Sequence, residues 1–76
     1  MRDRAKQIVI TFHTTADAMA FESACKQKNA AGRLIPVPRS VSAGCGIAWA
    51  APLEARAAME EMLLLPGIYY QELHEA

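Results

Sequence analysis

The chain has 76 residues and a mass of 8.3 kDa, which is enough for one small domain and excludes a second. Eight basic and eight acidic residues cancel, and a net charge of zero argues against a nucleic-acid partner or an anionic membrane bound through bulk electrostatics. The longest apolar run, residues 62–66, is too short to span a membrane, and the charged start is unlike a signal peptide. We therefore expect a cytoplasmic protein.

The first half of the chain predicts a strand, a helix and a second strand. Ile8, Ile10 and Phe12 alternate with Val9, Thr11 and His13, and this pattern with its β-branched content predicts a strand over residues 7–13. A helix is expected over about 15–29. A threonine oxygen is expected to cap the start of this helix, and Gly32 to provide its left-handed exit. The second strand, 33–37, contains Pro36, which removes an amide from the ladder, so we expect this strand at a sheet edge.

The second half predicts a third strand, a second helix and a fourth strand. The third strand is expected over 47–50, and Pro52 suits the first turn of the helix that follows. Residues 66–67, Pro-Gly, are expected to end this helix, and 68–73 to form the last strand, with a frayed tail after Leu73. The apolar stripe of the second helix is Ala55, Ala58, Met59, Met62 and Leu63.

This order of elements, β-α-β-β-α-β, predicts an α+β domain of the ferredoxin-like, split βαβ type. We expect one four-stranded antiparallel sheet in the order 4-1-3-2, with both helices on one face. The loop before the third strand then lies at the end of the sheet where the first strand stops and the first helix begins. Cys45 should therefore lie near His13, Thr14 and Thr15, about thirty residues away in sequence.

The residues predicted to surround Cys45 are of the types that activate a thiolate or bind an anion. Cations and helix N-termini lower the pKa of a thiol, so Arg39, His13 and the start of the first helix are candidates for that role. The neighbouring glycines leave a sulfur accessible and let backbone amides converge on an anion. The candidate anion-binding residues are Arg39, Ser40, Ser42, Gly44, Gly46, Thr14 and Thr15.

The same residues could instead have a purely structural role. The Gly-Cys-Gly turn is also typical of a hairpin end with a buried cysteine, and His13 of a residue that merely ends a strand. Cys25 falls with Ala18 and Phe21 on the apolar stripe of the first helix, which predicts packing rather than reactivity. Two cysteines at this spacing make neither a dithiol motif nor a zinc site, so we expect free thiols, no metal and no cofactor.

The aromatic residues Trp49, Tyr69 and Tyr70 fall on the third and fourth predicted strands. Successive strand residues point to opposite faces, so part of this aromatic surface is expected on the sheet face that carries no helix. A contiguous patch there would form a homodimer interface.

One stretch of the sequence resembles a known family. A Pro-Val-Pro-Arg segment at residues 36–39 is followed by a Ser-Ala-Gly-Cys-Gly turn at 42–46, after Phe12 at a strand end and Glu22 on a helix. This pattern is similar to that of small prokaryotic selenium/sulfur carrier-like proteins, a domain of unknown function, over roughly residues 7–70. The resemblance implies that Cys45 holds sulfur or selenium as a persulfide or perselenide; it implies no role for Glu22.

Two hypotheses about function follow, and the length of the chain favours either over a stand-alone enzyme. In the first, Cys45 accepts a chalcogen from a donor protein and passes it to an acceptor protein. In the second, the domain binds a small anion or another protein without covalent chemistry and dimerises through its sheet. Replacement of Cys45 by serine should abolish the first activity and spare the second.

Overall fold

The structure is a computed structural model that describes residues 6–39, 41 and 45–75. It has an α+β architecture, in which two α-helices pack on one four-stranded antiparallel sheet. A short 3-10 helix, Leu53–Ala55, precedes the second α-helix. The main elements are β1 (Gln7–Thr11), α1 (Thr15–Lys28), β2 (Arg33–Pro36), β3 (Ile47–Pro52), α2 (Arg56–Leu63) and β4 (Glu72–Glu75).

The strand order in the sheet is β2-β3-β1-β4, which is the predicted order 4-1-3-2 read from the opposite edge. Strand β2 lies at an edge, as Pro36 predicted. All three strand pairs are antiparallel, so β1 and β2 run in one direction and β3 and β4 in the other. The sheet therefore has one end, formed by Thr11, Pro36, Ile47 and Glu72, at which β1 and β2 finish and β3 and β4 begin. We call this the Cys45 end.

The core lies between the sheet and the two helices. Alternate residues along each strand face the helices, and those that do, including Ile8, Ile10 and Trp49, form a single cluster with helix side chains. The ring of Phe21 packs edge-on against Trp49, with the ring centres 5.5 Å apart. The predicted apolar stripes contribute Ala18, Phe21 and Cys25 from α1, and Met59, Met62 and Leu63 from α2. Only Ala58 departs clearly from its predicted stripe, because it is exposed.

Helix α1 ends at Asn29 rather than through Gly32. Asn29 adopts the left-handed conformation, with a φ of 56°, and its amide donates to the carbonyls of Cys25 and Lys26. Asparagine tolerates this conformation better than most residues, and for that reason it can replace glycine at a helix end. The expected exit at Gly32 is wrong, although Gly32 also has a positive φ, of 119°.

The last strand lies further along the chain than predicted. Residues 68–71 precede β4, and the segment expected to fray pairs instead with β1, with His74 opposite Val9. Helix α2 ends at Leu63, before the Pro-Gly pair, because the amides of Leu64 and Leu65 bond back three residues in tight turns. These turns use the residues that a longer strand would need.

The prediction of an aromatic patch on the open face of the sheet is wrong. Trp49 is 3% exposed, and its register opposite Ile10 places it on the helix side. Tyr69 and Tyr70 are exposed but lie before β4 rather than on it. The face of the sheet that carries no helix, which we call the open face for that reason alone, instead presents Val9, Thr11, Ala48 and Ala50. All four of these residues have little solvent-accessible surface.

Candidate functional site

Cys45 lies just before β3, at the end of the sheet that bears its name. The side chain is half-buried and packs against the edge of the helix-side core. Its Sγ donates a hydrogen bond to the carbonyl of Ile47, at 3.4 Å. The next residue, Gly46, has a φ of 80°, and its carbonyl accepts from the amide of Val37 at 3.1 Å, closing the β2–β3 loop beside the thiol.

The start of α1 lies at the same end of the sheet. Thr14 caps the helix as predicted: its Oγ1 accepts from the amide of Asp17 at 3.1 Å. His13 and Thr15, on either side of it, are exposed. The sheet register, with Thr11 opposite Ala48, brings this segment and the Cys45 segment to one end, as the topology predicted.

Within the described residues, the Cys45 thiol makes no hydrogen bond or ion pair with its predicted partners. The hydrogen bonds and ion pairs of residues 6–39, 41 and 45–75 join Cys45 to none of His13, Thr14 or Arg39. Arg39 is exposed in the loop, two residues before the buried Val41. The remaining predicted anion-binding residues, Ser40, Ser42 and Gly44, lie outside the described residues.

The second thiol, Cys25, has a different environment. It is 1% exposed in the last turns of α1, which runs away from the Cys45 end. Burial raises the pKa of the Cys25 thiol to about 11, because the thiolate would lose its hydration in the apolar core. Cys25 is therefore a packing residue, as its position on the helical stripe predicted.

Glu22, which matches a family position, lies in the middle of α1. Its Oε2 is 4.0 Å from Nζ of Lys26, one turn further along the helix. The carboxylate thus pairs along the helix surface, and within the part of the chain that the structure describes no hydrogen bond or ion pair joins it to Cys45.

A shallow groove beside the last strand was not predicted. It lies between α2 and β4 and has a volume of about 330 Å³. The sequence carried no signal for it, because the groove depends on where β4 begins and on the early end of α2. We call it the α2–β4 groove; its lining residues are Arg56, Glu60, Leu63, Leu64, Tyr70 and Leu73.

Fold and site together define a small α+β protein with one accessible cysteine at the end of its sheet. The family model described as "Putative Se/S carrier protein-like" matches residues 7–75, and the chain belongs to that family. This match confirms the resemblance seen in the sequence. No curated protein and no solved structure matches the chain. Within the described residues, neither α-helix has the length and apolar character that a membrane-spanning segment requires.

Proposed function

We propose that the protein carries sulfur or selenium on Cys45. The Cys45 thiolate attacks the terminal sulfur of a persulfide on a donor protein, so that a new S–S bond forms on Cys45 and the donor thiolate leaves. A thiolate on an acceptor protein then attacks the same terminal sulfur, so that the S–S bond moves to the acceptor and the Cys45 thiolate is regenerated. Each step exchanges one S–S bond for another, so the cycle consumes no oxidant. The selenium version follows the same steps.

The contrast between the two cysteines is the observation that carries this proposal. Thiol exchange requires a sulfur that a partner can reach and that can ionise. Cys45 is half-buried at an end of the sheet, whereas Cys25 is enclosed by the core with a raised pKa. Family membership supports the same assignment, because the family is named for this activity.

The surrounding residues supply supporting roles in the proposal. The start of α1 carries a partial positive charge at the Cys45 end, which favours an anionic persulfide there. In the proposal Arg39 adds positive charge from the loop, and His13, which follows β1, adds a polar imidazole. We further propose that the hydroxyls of Thr14 and Thr15 and the amide of Gly46 contribute to anion binding at this end. Ser40, Ser42 and Gly44, which lie outside the described residues, belong to the same proposed site. We place this exchange in the cytoplasm, where thiols stay reduced, on a ferredoxin-like scaffold.

Persulfide loading tests the proposal. Reduced protein is incubated with glutathione persulfide, and intact and peptide mass spectrometry locates added sulfur. We expect one added sulfur atom on the peptide that contains Cys45, and its loss when a thiol acceptor is supplied. The Cys25→Ser variant should load like the unmodified protein, and the Cys45→Ser variant should not. Loading that survives in Cys45→Ser, or no loading at all, would leave the non-covalent anion-binding function instead.

A further inference from the structure

The two edges of the sheet differ in their capacity to pair with another strand. Strand β2 contains Pro36, which has no amide hydrogen, and the charged Arg33, and both discourage pairing at that edge. Strand β4, with the sequence Glu-Leu-His-Glu, contains no proline. Among the described residues no strand pairs with its outer side, so its main-chain groups there are available to another chain.

We infer that this edge pairs with β4 of a second copy of the chain, giving a homodimer with one continuous eight-stranded antiparallel sheet. The two-fold axis lies perpendicular to the sheet at Leu73. In this arrangement Leu73 of the two copies lie opposite each other on the helix side. On the open face, Glu72 of each copy lies opposite His74 of the other.

Complementarity between the facing side chains selects this register. Residues that face each other across an antiparallel pair lie on the same face, and Glu72 and His74 both lie on the open face, opposite Thr11 and Val9. A two-fold axis at Glu72 would bring two carboxylates together, and an axis at His74 would place Leu73 opposite Glu75. The axis at Leu73 instead pairs leucine with leucine and carboxylate with imidazole.

The imidazole of His74 supports this pairing from within one copy. Its Nε2 lies 3.0 Å from Oε1 of Glu72 on the same strand. Despite this distance, Nε2 is buried and has no aligned hydrogen-bond partner among the described residues. The carboxylate–imidazole pair is nevertheless already formed within one copy, and an axis at Leu73 brings the pairs of the two copies side by side.

Exposed apolar side chains flank the same edge on the helix side. Leu64 is 83% exposed and Tyr70 is 41% exposed, and both line the α2–β4 groove beside Leu73. In the dimer the groove of one copy adjoins that of the other across the axis. The homodimer therefore covers apolar surface that the single chain leaves in water.

The homodimer leaves the proposed carrier site free. Strand β3 of one copy lies five strand spacings from β3 of the other, roughly 24 Å, and the two strands begin at opposite ends of the joined sheet. The two Cys45 residues are therefore far apart, and neither lies in the interface. Dimerisation and persulfide loading can consequently fail independently.

A charge exchange tests the proposed register, in a Cys45→Ser background that prevents adventitious disulfides. Sedimentation equilibrium measures the dimer dissociation constant of three chains: the background, His74→Glu, and the double exchange Glu72→His with His74→Glu. The single change places two carboxylates opposite each other and should weaken the dimer about tenfold or more. The double exchange restores the complementary pairs and should recover most of the affinity. Circular dichroism confirms that each chain is folded.

A cross-link tests the same edge independently. In the Cys45→Ser background, Leu73→Cys places two thiols opposite each other at the axis, within the range that a disulfide can bridge. Mild oxidation should convert this variant to a covalent dimer much faster than the matched variant Arg33→Cys at the β2 edge. A background protein that stays monomeric at about millimolar concentration, a dimer that the charge exchange does not affect, or equal cross-linking at both edges would overturn the proposal.

Discussion

The indole of Trp49 occupies the space that a side chain on residue 32 would need. Its Nε1 donates a hydrogen bond to the carbonyl of Ala31 at 3.2 Å, and a Cβ atom on Gly32 would clash with the indole and with the carbonyl of Ala50. Gly32 also has a φ of 119°, which other residues rarely adopt. The connection from α1 to β2 is therefore packed directly against β3.

The replacement Gly32→Ala should lower the free energy of unfolding by roughly 2–4 kcal/mol, because it adds a clash with backbone to conformational strain. Gly67→Ala is the matched control, since Gly67 has a φ of 83° but open space around its Cα. It should cost only about 1–2 kcal/mol. Urea unfolding followed by Trp49 fluorescence measures the free energy of unfolding of both variants. Equal losses would mean that the contact between residue 32 and the indole does not contribute to the cost.

Thr14→Ala should destabilise the protein by about 1 kcal/mol, because the amide of Asp17 loses its acceptor at the start of α1. Thr15→Ala is the control one residue later: Thr15 is exposed, and its change should stay within about 0.5 kcal/mol. Thermal and urea unfolding of the two variants give the comparison. A smaller loss for Thr14 than for Thr15 would contradict the capping role.

The first three elements, β1, α1 and β2, could be predicted from local sequence patterns. The β-branched run of β1, the core positions of Phe21 and Cys25 on α1, and the edge position of β2 all follow from local rules that the fold does not override. The strand order followed from these elements because few topologies connect them with right-handed crossovers. The juxtaposition of the Cys45 segment with the start of α1 followed in turn.

Features that depend on competition between neighbouring elements could not be predicted from the sequence. Tyr69 and Tyr70 have strong strand propensity, yet the turns after α2 displace the strand to Glu72–Glu75. The face of Trp49 depends on the register with β1, and a shift of one residue reverses it. The α2–β4 groove depends on the end of α2 at Leu63 and on the start of β4 at Glu72.

Alkylation of the native protein should distinguish the two cysteines. Iodoacetamide should modify Cys45, which is half-buried at the sheet end, and should leave Cys25 unmodified until the protein unfolds. Peptide mass spectrometry over a time course measures each rate. The Cys45→Ser variant should show no modification on the time scale on which the unmodified protein reacts. Comparable native rates for the two thiols would contradict the burial of Cys25 and remove the main support for a carrier function on Cys45.

The burial of Cys25 should also appear in the dependence of stability on alkaline pH. Its pKa is about 11 in the folded protein against an ordinary value of 9.0, so between these values the unfolded chain loses the thiol proton while the folded chain keeps it. The unfolded chain then binds fewer protons, and the free energy of unfolding must fall as pH rises. The contribution is complete below pH 9 and is lost by about pH 11, a decrease on the order of 2–3 kcal/mol.

The Cys25→Ala variant isolates this contribution, because it removes the thiol without burying a hydroxyl. The other ionisable groups are the same in both chains, so their effects cancel when the two stability curves are subtracted. Urea unfolding at intervals from pH 8 to 11.5 should show that the advantage of the unmodified protein over the variant shrinks steadily above pH 9. If the two curves fell in parallel, the Cys25 thiol would ionise equally in the folded and unfolded states, which is incompatible with its enclosure in the core.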